Sequence, residues 1–178
     1  MTNATPPPMP ELSEFLIDAC VANECVLFAG AGLSARAGFL TWVPFVRSLL
    51  NWCFEGGFID ESSAESHRAA IEKGDVGSVA DGIVDALHGR ENLLHEFLSE
   101  TFATLTQLSD AHSILRKIKF SAALTTNFDD LIEKTFPDQN LNIYTPTDTQ
   151  SLLEALHKRD FFILKLYGSL QRPETLMI

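Results

Sequence analysis

A five-residue apolar run, Cys25-Val26-Leu27-Phe28-Ala29, leads directly into Gly30-Ala31-Gly32-Leu33-Ser34-Ala35-Arg36-Ala37-Gly38, and an amphipathic segment follows. The run reads as a buried parallel strand, because a strand covered on both faces is apolar throughout rather than alternating. Glycines directly after such a strand let the backbone turn sharply and approach a ligand with no Cβ in the way. Free N–H groups at the start of the next helix would face an anion such as a pyrophosphate. A tight strand-to-helix turn also demands small residues for steric reasons alone, so this stretch by itself leaves both readings open.

The 178 residues are enough for one domain with a substantial core, and 46% hydrophobic with 21% charged residues is an ordinary globular composition. No apolar run approaches the roughly 20 residues of a membrane span. Residues 1–10 lack the basic and apolar regions of a secretory signal. Their prolines, Pro6-Pro7-Pro8 and Pro10, predict a disordered tail ahead of a domain over 11–178. A net charge of −11 argues against direct nucleic-acid binding, since the phosphate backbone rewards basic surfaces. It leaves room for a compact phosphorylated ligand. Cys20, Cys25 and Cys53 sit in apolar runs and read as buried thiols of a reducing, cytoplasmic compartment; no Cys-x-x-Cys pair exists to build a zinc ribbon.

Residues 11–22 have helical spacing of Leu12, Phe15, Leu16 and Ala19. Trp42, Phe45, Val46, Leu49, Leu50 and Cys53 repeat as one helical face that ends at Gly56-Gly57. Helices are expected over 63–73, 76–87, 91–102 and 110–118, forming a helical insertion at about 58–118 beside a sheet. The chain then alternates: strand 122–125, helix 129–136, strand 141–144, helix 149–157, strand 161–166. This is the pattern of an α/β, Rossmann-like parallel sheet. Open sheets of this kind usually carry further strands, so the chain is expected to be a fragment.

Three stretches fall at the carboxyl ends of predicted strands: Gly30 to Ser34, Thr125-Thr126-Asn127-Phe128-Asp129, and Lys165-Leu166-Tyr167-Gly168-Ser169. Open parallel sheets bind ligands along that edge. Each stretch has a plain alternative. Asn127 could cap the next helix with Asp129 complementing its dipole, and Gly168-Ser169 could be an ordinary turn. His112 reads as structural, on the apolar Ile114–Leu115 side of a helix. His67, His88, His95 and His157 read as surface or boundary residues without metal-ligand spacing, and Asp81 with Asp85 as a solvated carboxylate face. No Ser-His-Asp assembly is discernible.

Together the three stretches resemble the sirtuin nucleotide loop, the sirtuin asparagine–aspartate motif, and the segment where sirtuins carry a His-Gly pair. Asn127 and Tyr167 lie 40 positions apart. That separation is longer than in protein-deacetylating sirtuins and similar to that of the sirtuin-like NAD-hydrolysing domains of bacterial anti-phage systems. Trp42 in place of the usual aromatic–arginine pair, the Asp130-Leu131-Ile132-Glu133 continuation and the missing zinc ribbon point to the same branch.

The resemblance implies that NAD is substrate or ligand, without zinc. Gly30, Ala31, Gly32 and Ser34 would contact its phosphates and ribose, and Trp42, Thr126, Gly168 and Ser169 would complete the binding site. Asn127 would orient the nicotinamide ribose or the attacking water, and Asp129 would lie near the nicotinamide. It also implies a homo-oligomer or a complex with a defence sensor or effector.

Tyr167 stands where the family carries its catalytic histidine. Imidazole titrates near neutrality, whereas an ordinary phenol has a pKa near 10 and is ionised in about one molecule per 1,000 at pH 7. Three readings follow: an inactivating change, a tuned phenol, or a dissociative path that needs little base. The functional expectations are therefore NAD hydrolysis to ADP-ribose and nicotinamide, or a silent module that binds NAD or ADP-ribose. A protein deacylase is disfavoured by the missing zinc-binding domain.

Overall fold

A computed structural model describes residues 11–103, 107–137 and 141–177; the proline-rich stretch 1–10 lies outside them. Its framework is a sheet of four short parallel strands, β1 (Val26–Ala29), β2 (Ala122–Thr125), β3 (Asn142–Tyr144) and β4 (Phe162–Lys165), in the order β1-β2-β4-β3. The expected α/β parallel architecture is present, and its strand order decides the rest. The three strands that carry the motifs are neighbours, with Ala29, Thr125 and Lys165 in register at their carboxyl ends. Parallel strands lie about 4.8 Å apart, so the turns leaving them emerge side by side.

Two helices flank the sheet after β2. On one face α8 (Leu131–Thr135) places Ile132, with Phe136 just beyond it, against Ala29, Ala123 and Ile163. On the other, α9 (Thr149–Lys158) sets Ala155 and Leu152 over Ala122, Phe162 and Tyr144. The α9 layer does not reach β1. Here the reading of a fully buried strand is corrected: Ala29 alone is buried, while Val26 and Phe28 are 52% and 65% exposed. β1 is an edge strand whose outward face has no apolar cover among the described residues. The preceding helix α1 (Glu14–Val21) likewise buries none of its residues.

Between β1 and β2 the chain forms α2 (Ala31–Ala35), α3 (Trp42–Glu55), α4 (Glu61–Glu72), α5 (Val76–Ala86), α6 (Glu91–Ala103) and α7 (Asp110–Leu115). α3 buries Phe45, Val46, Leu49, Leu50 and Cys53, a stripe at helical spacing that faces the chain beyond it. It stops where Gly57 takes φ +71°, a conformation that costs an L side chain energy. α4 starts at Asp60, whose carboxylate accepts the Ser63 N–H at 2.8 Å. Leu49, Ile83 and Leu98 are fully enclosed in the resulting core, each side chain contributing about 1.5–3 kcal/mol by burial. This core is separate from the two on the sheet, and one motif residue, Phe128, belongs to it.

The cysteine reading needs correction too. Cys53 is buried, and burial pushes its thiol up to about 11. Cys20 and Cys25 are only partly covered, since α1 buries none of its residues; their sulfurs lie 3.1 Å apart across the turn into β1.

Candidate functional site

Beyond β1, Gly30 adopts an extended conformation and α2 begins at once. With only five residues, α2 has a small dipole, so the expectation of an anion-binding helix start finds little support in its length. A Cβ at Gly32 would meet nothing within 4 Å. No packing within the described residues therefore demands glycine there, which leaves open room for an approaching ligand. α2 delivers Ser34 to a buried position, and Gly38, at φ +101°, turns the chain back towards α3.

Beyond β2, the Thr125 hydroxyl accepts the Asn127 N–H at 3.1 Å and fixes the turn. Asn127 then points its carboxamide across to the first motif, where Nδ2 donates to Ser34 Oγ at 2.7 Å. Asn127 therefore does not cap α8. Asp129 serves that end, accepting the Leu131 N–H on Oδ1 at 3.0 Å. Phe128 turns the opposite way, its ring 6.4 Å from Phe45 and 6.0 Å from Phe102. The asparagine–aspartate turn is thus tied to α2 by a hydrogen bond and to the helical core by a ring.

Beyond β4, Gly168 has φ +84°, and a Cβ there would overlap the Thr175 carbonyl. This close approach folds residues 169–177 back, so that Met177 donates its N–H to the Tyr167 carbonyl at 3.1 Å. The Ser169 hydroxyl is spent on Gln171, and its N–H on Thr175 Oγ1.

These turns enclose a cavity of about 600 Å³, within the range usual for ligand clefts. Ala31, Ser34, Trp42, Thr126, Asn127, Asp129 and Tyr167 line it together with Leu40, Phe45, Phe102, Phe128 and Met177. Gly30, Gly32, Gly168 and Ser169 do not line it; Gly168 and Ser169 instead shape the fold-back loop. Sequence reasoning missed the apolar wall. Phe45 reads as ordinary core, Phe102 ends an expected helix of the insertion, and Met177 carries no local signal.

His112 is fully buried at the start of α7, with Nδ1 accepting the Ser109 N–H at 3.2 Å. Ile114, on the side expected to be apolar, is 58% exposed, so the histidine rather than the isoleucine faces inward. Burial lowers the His112 pKa, and the Asp129 charge opposes that shift. His95 is a boundary residue, its Nε2 3.1 Å from the Leu170 carbonyl oxygen. Among the described residues no group of three or more His, Cys, Asp or Glu side chains is gathered as a metal site, and no helix is long and apolar enough to cross a membrane.

The fold-back loop is clamped to the turn after β3. Arg172 grips Asp148 through both terminal nitrogens, at 2.5 and 3.1 Å, while Asp148 also accepts from the Thr145 N–H and hydroxyl. The Arg172 guanidinium, then the Thr145 backbone, hold the Asp148 carboxyl down to about 2. A lowered folded-state pKa stabilises the fold above the unfolded value near 4, and that contribution disappears as pH falls towards 2. Asp148→Asn is expected to be less stable than the parent at pH 7, with most of that deficit gone near pH 2. Thermal unfolding at the two pH values checks this, and an equal deficit at both would contradict it.

Residues 121–178, from the residue before β2 onward, match the family model described as SIR2-like domain. That match covers about a third of the chain. The chain is also 29% identical over 156 residues to a protein named NAD(+) hydrolase ThsA from Acinetobacter baumannii, covering 88% of the chain and 30% of that relative. It is 29% identical over 168 residues to one of the same name from Cytobacillus dafuensis, covering 94% of the chain and 31% of the relative. A third, from Bacillus cereus, is 23% identical over 156 residues. The chain therefore spans about 30% of the length of the curated relatives it matches.

Proposed function

We propose that the cavity binds NAD and that the chain is the NAD-cleaving part of a hydrolase yielding ADP-ribose and nicotinamide. The observation that carries this reading is the convergence of Ser34, Asn127 and Tyr167, from three separate strand ends, on one aromatic-walled cavity. Trp42, Phe45, Phe102 and Phe128 line the cavity with aromatic side chains, a surface suited to a flat heterocycle. In the reaction the bond from ribose C1′ to the pyridinium nitrogen breaks, and its electron pair leaves with nicotinamide. Water then adds to C1′ and releases a proton. The sugar passes through a cationic state, which the nearby Asp129 carboxylate and the Asn127 carboxamide oxygen would stabilise and orient. The relatives' printed name, NAD(+) hydrolase, supports the cleavage of NAD; the resemblance to anti-phage domains supports a role in cytoplasmic defence, within a homo-oligomer or with a sensor or effector protein.

One observation favours a second reading, a module that binds NAD or ADP-ribose without turnover. Tyr167 lines the cavity, 49% exposed, where the resemblance places a histidine base. A positioned base is typically worth ~10²–10⁴-fold. Nicotinamide release and calorimetric NAD binding, measured on the parent and on Tyr167→His, separate the readings. Turnover by the parent supports hydrolysis. Binding without turnover, with a gain of about 10²-fold or more in Tyr167→His, supports the silent module. Absence of both binding and turnover contradicts an NAD site.

A further inference from the structure

Lys165 ends β4, a strand that is otherwise apolar, and is fully buried. An ammonium in that position is tolerated only when its charge and all its protons are matched. Its Nζ donates to the Phe128 carbonyl at 3.2 Å, the Asp129 carbonyl at 2.7 Å and Glu133 Oε1 at 2.8 Å. These three bonds use the three ammonium hydrogens. Two of them fall on consecutive carbonyls of the turn that carries Asn127 and Asp129, while the third neutralises the charge from α8, whose Glu133 side chain is 12% exposed. An ion pair alone would need only Glu133, and it would leave the turn's backbone without an anchor on that side.

We propose that Lys165 is a positioning residue: from inside the sheet it pins the backbone of Phe128 and Asp129, so that Asn127 and Asp129 face the cavity in the orientation a ligand needs. The ligand side of this rests on the reading of the cavity as an NAD site. β4 thus serves the site twice, with Tyr167 at its exit and Lys165 at its last strand position, in register with Thr125. Lys165 is not itself among the residues that line the cavity, and its effect passes through the turn.

The test has two arms. Lys165→Met alone strands the Glu133 carboxylate and is expected to fold poorly, so the working variant is Lys165→Met with Glu133→Leu, which removes both buried charges together. With the global unfolding midpoint close to the parent's, amide hydrogen exchange in residues 126–130 is expected to speed up by about tenfold or more, while β2 and β4 keep their protection. ADP-ribose affinity by calorimetry is expected to weaken by about tenfold or more. Unchanged turn exchange, or unchanged ADP-ribose affinity in a folded double variant, overturns the proposal. In the unaltered protein, NMR is expected to show a slowly exchanging Lys165 ammonium signal with contacts to the 128–130 backbone. A rapidly exchanging ammonium overturns the proposal whatever the variants do. Should the parent bind neither NAD nor ADP-ribose, the NAD reading fails, and turn exchange with the ammonium signal still decides whether Lys165 pins the turn.

Discussion

Asn127→Ala is expected to lower nicotinamide release by about 10²–10³-fold, the range for removing one preorganised polar group from a reacting centre. The side chain is 7% exposed, and its Nδ2 is committed to Ser34 at 2.7 Å. That bond fixes the carboxamide plane before any ligand arrives, so little reorganisation is needed at the moment of reaction. Alanine removes the orienting oxygen and leaves the buried Ser34 hydroxyl without this partner, a further cost to stability of about 1–3 kcal/mol. Ser34→Ala separates the two effects. It keeps the carboxamide but frees its rotation, so its loss of rate is expected to be smaller than that of Asn127→Ala. Nicotinamide release and thermal unfolding on both variants provide the check, and equal parent-like rates would remove Asn127 from the reaction.

Phe128→Ala is expected to cost about 3–5 kcal/mol, the usual range for deleting a buried aromatic ring. For a chain of this length that corresponds to a fall in Tm of roughly 6–20 °C. The ring is 7% exposed and packs against Phe45 and Phe102, so the cavity it leaves lies where the helical core meets the asparagine–aspartate turn. Ligand affinity should fall with stability, because Phe128 is also part of the cavity wall. Phe15→Ala is the matched control. That ring is 84% exposed on α1, and its removal is expected to change stability by less than about 0.5 kcal/mol. Similar losses in both variants would mean that the helical core does not hold the turn.

The motif-bearing strands were legible because a short apolar run ending in glycine or asparagine has few other uses, and β2 matches its expected bounds of 122–125. The amphipathic stripe of α3 was legible for the same kind of reason, since burial at helical spacing leaves a periodic trace. Strand order leaves no such trace, yet it is what sets Ala29, Thr125 and Lys165 side by side. The exposed face of β1 was misread because apolar content predicts burial only when a covering layer exists, and α9 stops short of that edge. Phe102 and Met177 were invisible as site residues because a cavity wall made from the margin of a core has the same composition as the core. Lys165 did carry a signal: a lone charge within Phe161-Phe162-Ile163-Leu164-Lys165-Leu166 must find partners or stay outside. Only the fold names those partners as the Phe128 and Asp129 carbonyls.

Convergence of the three strand ends on one dinucleotide cavity is tested most directly by hydrogen exchange of the chain with and without saturating NAD. Protection is expected to rise together in residues 31–34, 126–129 and 167–177, while α4 and α9 stay unchanged. Protection confined to one of the three stretches, or appearing on α4 or α9 instead, would contradict a shared site.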